Sequence, residues 1–238
     1  MTPDPSYLLE QAGITTPLIG MYDAPDPDAF APLVGPAPGK WACVFMFYRP
    51  WLDGKTLHLT GDRFGCGGAG SYLFDLTTRT REDYIDFLAG EEGLKADGEL
   101  MGQWLDTAPR FAPEHGHVLI GPLRDAHYEH LKTVTFLVDP DQLTLLVTGA
   151  HYRRGPATPV VTAPFAAGCA LVGPAVGPLD EPRAIIGATD IAMRQYLPRD
   201  LLAFTVTRPM YEELCALDET SFLAKPFWQR VREARARG

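Results

Sequence analysis

Apolar residues along this chain come in short runs, interrupted by Gly, Pro and charge, and the run lengths predict many short strands with intervening helices. The chain opens with a short helix over Ser6 to Ala12, ended by Gly13, followed by loops and turns from Asp23 to Gly39, where proline is dense. Trp41 to Tyr48 is apolar and aromatic and reads as a buried strand. Asp53-Gly54 signals a turn into Thr56 to Thr60, which alternates as a partner strand. Glu82 to Leu88 has helical spacing, and Leu94 to Leu105 is a weaker helix. Val118 to Ile120, Thr133 to Val138, Ala184 to Gly187 and Leu202 to Val206 read as buried strands of one sheet. Asp139-Pro140 caps and starts a helix carrying Leu143, Leu146 and Val147, and Thr207-Arg208-Pro209 repeats that entry ahead of Leu214. The repetition is either an internal echo or the chemistry any strand-to-helix joint requires. Ala163 to Val172 reads as a buried helix.

These elements predict an α/β or α+β fold: one domain over 1–238, with a central mixed sheet and flanking helices. Residues 1–40 form a proline-rich helix and loop segment, and 41–238 form the α/β body.

Composition narrows the function classes. Hydrophobic residues make up 46% and charged residues 21%, which supports a sizeable core. A net charge of −9 argues against nucleic acid as a partner. The basic cluster Arg230, Arg232, Arg235 and Arg237 reads as the solvated face of a last helix. No apolar stretch is long enough to span a membrane, and Met1 to Pro5 does not read as an export signal. Cys43, Cys66, Cys169 and Cys215 are widely spaced, which favours reduced thiols and a cytoplasmic location over a disulfide framework. A homodimer is the base-rate expectation for such a chain.

The strongest local motif is Gly65-Cys66-Gly67-Gly68-Ala69-Gly70, which follows a strand and precedes an apolar segment. Glycines let backbone amides approach an anion, and Arg63 adds a charge beside them. Cys66 among those amides is a candidate nucleophile, redox thiol or metal ligand. Close packing of the segment would demand glycine equally well. His115 and His117, and His127 and His130, each offer two imidazoles at a spacing that suits a shared face. The second pair lies in a very polar segment and reads as solvated helix.

Five segments in order resemble an uncharacterised archaeal and bacterial family known as domain of unknown function 169. They are Leu59 to Ala69, Gly121 to Ala126, Val138 to Gln142, Ala163 to Cys169 and Ile185 to Gly187. The resemblance runs from about Cys43 to Leu214. It implies recurrent cysteines at Cys43, Cys66 and Cys169, and a further one where this chain has Ala188. Such a set implies a metal or iron–sulfur cluster, with three thiolates in this chain. It leaves Cys215 as a helix core residue.

Three functions follow. The first is a cofactor- or metal-binding protein with Cys66 at its centre, helped by Cys43 and Cys169. The second is a thiol-dependent enzyme acting on a small anionic metabolite: Cys66 reacts, Gly65, Gly67, Gly68, Gly70 and Arg63 hold the anion, and His58 or His117 serves as base. The third is a non-catalytic ligand-binding or assembly module, with the aromatic run Phe45 to Trp51 as pocket or contact face.

Overall fold

The computed structural model describes residues 2–66, 68, 70–155, 160–164 and 177–237. Eight strands form one mixed sheet: β1 (Ile19–Tyr22), β2 (Leu33–Val34), β3 (Thr56–Thr60), β4 (His117–Pro122), β5 (Leu131–Val138), β6 (Val161–Thr162), β7 (Ala184–Gly187) and β8 (Leu202–Thr207). Their spatial order is β2-β3-β4-β1-β5-β8-β7-β6. The helices are α1 (Ser6–Ala12), α2 (Tyr48–Leu52), α3 (Gly70–Leu73), α4 (Arg81–Ile85), α5 (Gly98–Thr107), α6 (Pro140–His151), α7 (Arg208–Cys215) and α8 (Pro226–Ala236).

Alternation along the strands divides the core between the two faces of the sheet. One face carries Tyr22, Leu119, Val134, Phe136, Phe204 and Val206, packed under α1, α6 and α7 through Leu8, Leu145, Leu146, Met210 and Leu214. The other carries Met21, Leu57, Leu59, Val118, Ile120 and Ala203, packed against Phe45, Trp51, Phe74 and Met193. A satellite cluster of Leu73, Tyr84, Leu88, Met101 and Leu105 joins α3, α4 and α5.

The pairing follows the same plan in both halves of the chain. β2 runs parallel to β3 with Leu33 opposite Thr56, and β6 runs parallel to β7 with Val161 opposite Ala184. Leu57 faces Ile120, which faces Met21; likewise Ile185 faces Thr205, which faces Thr135. At the junction of β1 and β5, Gly20 opposes Val134, Ile19 opposes Thr135 and Met21 opposes Thr133. Because Met21 and Thr135 hold matching places, a half-turn about the Gly20–Val134 pair carries one half of the sheet onto the other.

Several expectations hold. Gly13 ends α1 with φ 66°. Asp139 caps α6 through a reciprocal box with Gln142, with Pro140 in its first turn. Thr207 caps α7, and the four expected strands share one sheet. Others need correction. Trp41 to Tyr48 is not a strand: Val44–Phe47 forms a 3-10 turn that continues into α2. A fully apolar run carries no period, so it left strand and helix undecided. β3 therefore has no hairpin partner there, and it pairs with β2 and β4. The short strand β2 falls in the segment read as loops and turns, and the central strand β1 falls in residues 14–22, to which the sequence pattern assigns no element. The Asp139-Pro140 and Thr207-Pro209 echo links β5 to β8, adjacent strands that do not correspond under the half-turn, so it reflects joint chemistry. Ala163 to Val172 lies mostly outside the described residues. No helix among the described residues is long and apolar enough to cross a membrane.

Candidate functional site

The thiol-bearing site lies on the second face of the sheet, where the connections before and after β3 meet. Cys43 ends the segment entering the 3-10 turn. Its sulfur accepts from the amide of Met46, and its own N–H lies 3.3 Å from Met46 Sδ. Cys66 follows the turn that leaves β3, where Arg63 N–H donates to Thr60 O at 2.9 Å. Both cysteines are 7% exposed and belong to the same core cluster. Cys43, Cys66 and Cys215 carry thiols rather than disulfides.

A cavity of about 90 Å³ opens beside the two thiols, and Gly68, Trp41, Met193 and Tyr196 also line it. Two carboxylates, Glu92 and Asp190, complete its polar wall. Asp190 reaches it through the turn after β7, in which Ala188 takes φ 59°. The Trp41 and Tyr196 rings stand 6.4 Å apart, and Trp41 is 52% exposed at the rim. No Lys, Arg or His lines the cavity among the described residues. The residues outside the described set contain no such side chain either.

This wall disfavours negative charge. Burial pushes the Cys43 thiol up to about 12; Cys66 and Asp190 add to the push, and the Phe45 and Met46 amides oppose it only in part. Burial also raises Glu92, with Asp190 and Glu91 adding repulsion. Cys43 is therefore protonated at neutral pH, and a bound cation is the partner that would draw these groups into their charged forms.

The glycine-rich segment divides between two tasks. Gly65 is needed for close approach: a Cβ there would lie 2.6 Å from Lys40 O and 3.4 Å from Trp41 Cα. It lines a separate open groove of about 590 Å³ with Gly61, Asp62 and Arg79. Gly68 faces the thiol cavity, where an added Cβ would sit 3.6 Å from Cys66 Sγ. Gly70 opens α3, and Gly67 lies outside the described residues. Arg63 is exposed and lines neither space.

Of the expected cysteines, Cys43 and Cys66 come together. Cys215 sits with the opposite-face cluster, pushed up to about 12 by burial. Cys169 lies outside the described residues. Ala188, at the position the family resemblance gives to a further cysteine, is buried in the cluster that holds Cys43 and Cys66. His58 and His117 pack edge to face at 5.0 Å, but His58 lies between Leu57 and Leu59, which point to the thiol side, so it faces away from the thiols. Sequence reasoning missed Trp41, Glu92, Asp190, Met193 and Tyr196 as lining residues, because only the tertiary fold gathers them.

The fold and cavity define a mixed α/β protein with a buried, thiol-bearing, acidic pocket. The sequence profile of domain of unknown function 169, described as uncharacterised ArCR, matches residues 8–216, and the chain belongs to that family. No curated protein and no solved structure matches the chain.

Proposed function

We propose that this protein holds a thiophilic metal cofactor at the cavity between Cys43 and Cys66. The observation that carries the reading is the convergence of two thiols, from either side of β3, on one buried wall that also bears Glu92 and Asp190. Sulfur ligands select thiophilic metals, and the carboxylates offer harder donors beside them. Among the described residues, Cys43 and Cys66 belong to no group of three His, Cys, Asp or Glu ligand atoms that all lie within 4.8 Å of one another. The two cysteines are thus the anchor, and further coordination falls to the cofactor's own ligands or to Cys169, which the family resemblance adds to the set. Metal binding displaces thiol protons, so affinity rises with pH.

The same wall argues against the anionic-metabolite reading. Glu92 and Asp190 repel an anion, and Arg63 lies elsewhere.

Metal analysis and the visible spectrum of anaerobically purified protein test the proposal. Bound metal that is lost from Cys43→Ser and Cys66→Ser is the expected result. Protein without thiophilic metal or thiolate-to-metal chromophore, or that chromophore kept by the double variant, overturns it.

A further inference from the structure

The corner where β1 ends and β4 begins holds a second set of donor groups, with no thiol among them. β1 runs antiparallel to β4 with Tyr22 opposite Leu119, so the end of β1 lies beside the start of β4. Asp23 follows the first of these ends, and Glu114 and His115 precede the second. The Asp23 side chain is 1% exposed. It accepts from Glu114 N–H at 3.0 Å, and its other oxygen lies 2.9 Å from His115 Nδ1. A carboxylate has about four lone-pair positions, so these contacts leave Asp23 with acceptor capacity.

We infer that Asp23, Glu114 and His115 form a binding site for a divalent first-row transition-metal cation, separate from the thiol cavity. One ligand atom from each lies within 4.8 Å of those of the other two. Ligands held tetrahedrally at about 2.1 Å from one ion stand about 3.4 Å apart. Glu114 and His115 are exposed and can turn to close that difference. The Glu114 carboxylate has no hydrogen bond or ion pair among the described residues, although it sits beside a second carboxylate. Like charges at this separation repel, and a shared cation removes the repulsion. His115 Nδ1 is the ring nitrogen that faces the carboxylates, 2.9 Å from Asp23 Oδ1, and an ion bound there would take the place of this direct contact.

A separate observation marks the same corner. His117 is tied to Ala24 O through Nε2 at 2.9 Å, so it holds the backbone beside Asp23 in place. Its ring lies 6.3 Å from that of His115 and 5.0 Å from that of His58. His58 Nε2 is buried and has no hydrogen-bond partner among the described residues.

Two carboxylates and one imidazole suit Mn²⁺ and Zn²⁺, and Mn²⁺ has little affinity for thiols. Mn²⁺ is therefore the probe, titrated into the full chain while the paramagnetic resonance signal of the free ion is followed. The wild type and Cys43→Ser/Cys66→Ser should both bind stoichiometrically. Glu114→Gln and His115→Ala should each weaken binding by about tenfold or more. Glu114→Gln, whose carboxylate has no partner among the described residues, should keep the wild-type melting temperature without metal, whereas His115→Ala also removes the Asp23 contact and should lower it. No binding by the wild type, or an affinity unchanged by either substitution, overturns the inference. Loss of binding in the thiol double variant also overturns it, because the ion would then belong to the cavity. The inference stands or falls independently of the thiol cofactor.

Discussion

Gly65→Ala separates the two reasons a chain has to place glycine before Cys66. A methyl at position 65 would lie 2.6 Å from Lys40 O, 3.0 Å from Lys40 C and 3.4 Å from Trp41 Cα. All three atoms are backbone, so no rotamer change relieves the clash. Restoring an ordinary contact of about 3.5 Å moves the Lys40–Trp41 segment or the Cys66 loop by nearly an ångström. Overpacking of this kind costs about 1–3 kcal/mol. For a chain of this size each kcal/mol corresponds to roughly 2–4 °C, so the melting temperature should fall by about 2–12 °C. Gly61→Ala is the matched control in the same loop: nothing lies within 4 Å of its added Cβ, and its stability should stay within about 0.5 kcal/mol of wild type. Thermal and urea unfolding of the three proteins, followed by circular dichroism, measure the difference. The displaced segments carry Trp41 and Cys66, so Gly65→Ala should also lower metal retention at the cavity. Equal stability of Gly65→Ala and Gly61→Ala would refute the close-packing argument.

Gly68→Ala should leave stability near wild type, because its methyl meets Cys66 Sγ at an ordinary 3.6 Å, yet it should reduce metal retention by narrowing the cavity; unchanged retention in a folded variant counts against the site. Cys43 should make the protein sensitive to alkali: between the ordinary 9.0 and about 12 the unfolded thiol has lost its proton while the buried one keeps it, so stability is level below this window and falls as pH rises through it. The contribution is about 1.4 kcal/mol per pH unit at most, and Cys43→Ala should flatten the slope in urea titrations at rising pH. Asp139→Ala removes the α6 cap and should cost about 1 kcal/mol by urea unfolding, whereas Phe136→Ala, at a fully buried ring, should cost about 3–5 kcal/mol.

Most strands and both proline-led helices were legible because their signals are local. Asp139 and Thr207 carry the cap chemistry in their own side chains, and β5 and β8 are short runs rich in β-branched and aromatic residues. β1 was not legible: its four residues, Ile19 to Tyr22, are buried on both faces and include a glycine, so they show no alternation. Trp41 to Tyr48 misled for a related reason, since uniform apolarity fits a buried helical turn as well as a strand. At the site, Cys66 stood out through its glycines and Cys43 through the family resemblance. Glu92 and Asp190 carried no signal, because each is an ordinary surface acid in its own segment and acquires meaning only when the turn after β7 meets the end of the helical region after α4. Asp23 was hidden for the same reason as the strand it follows.

The self-matching register at the centre of the sheet is the pattern of an isologous contact between two identical subunits, met here within one polypeptide. Two copies of a four-stranded protomer, pairing edge to edge through their first strands, would generate this order and these partners. Covalent fusion frees such a pair from the constraint of symmetry. In a homodimer any substitution appears twice, so a ligand cannot be removed from one side alone. In this chain Cys43 and Cys66 flank β3, while the matching connections around β7 carry Cys169 in sequence and the buried Ala188. One side of the sheet can therefore change its donor groups while the other keeps them. Because β1 and β5 belong to one chain, the central strand pair forms without dependence on protein concentration.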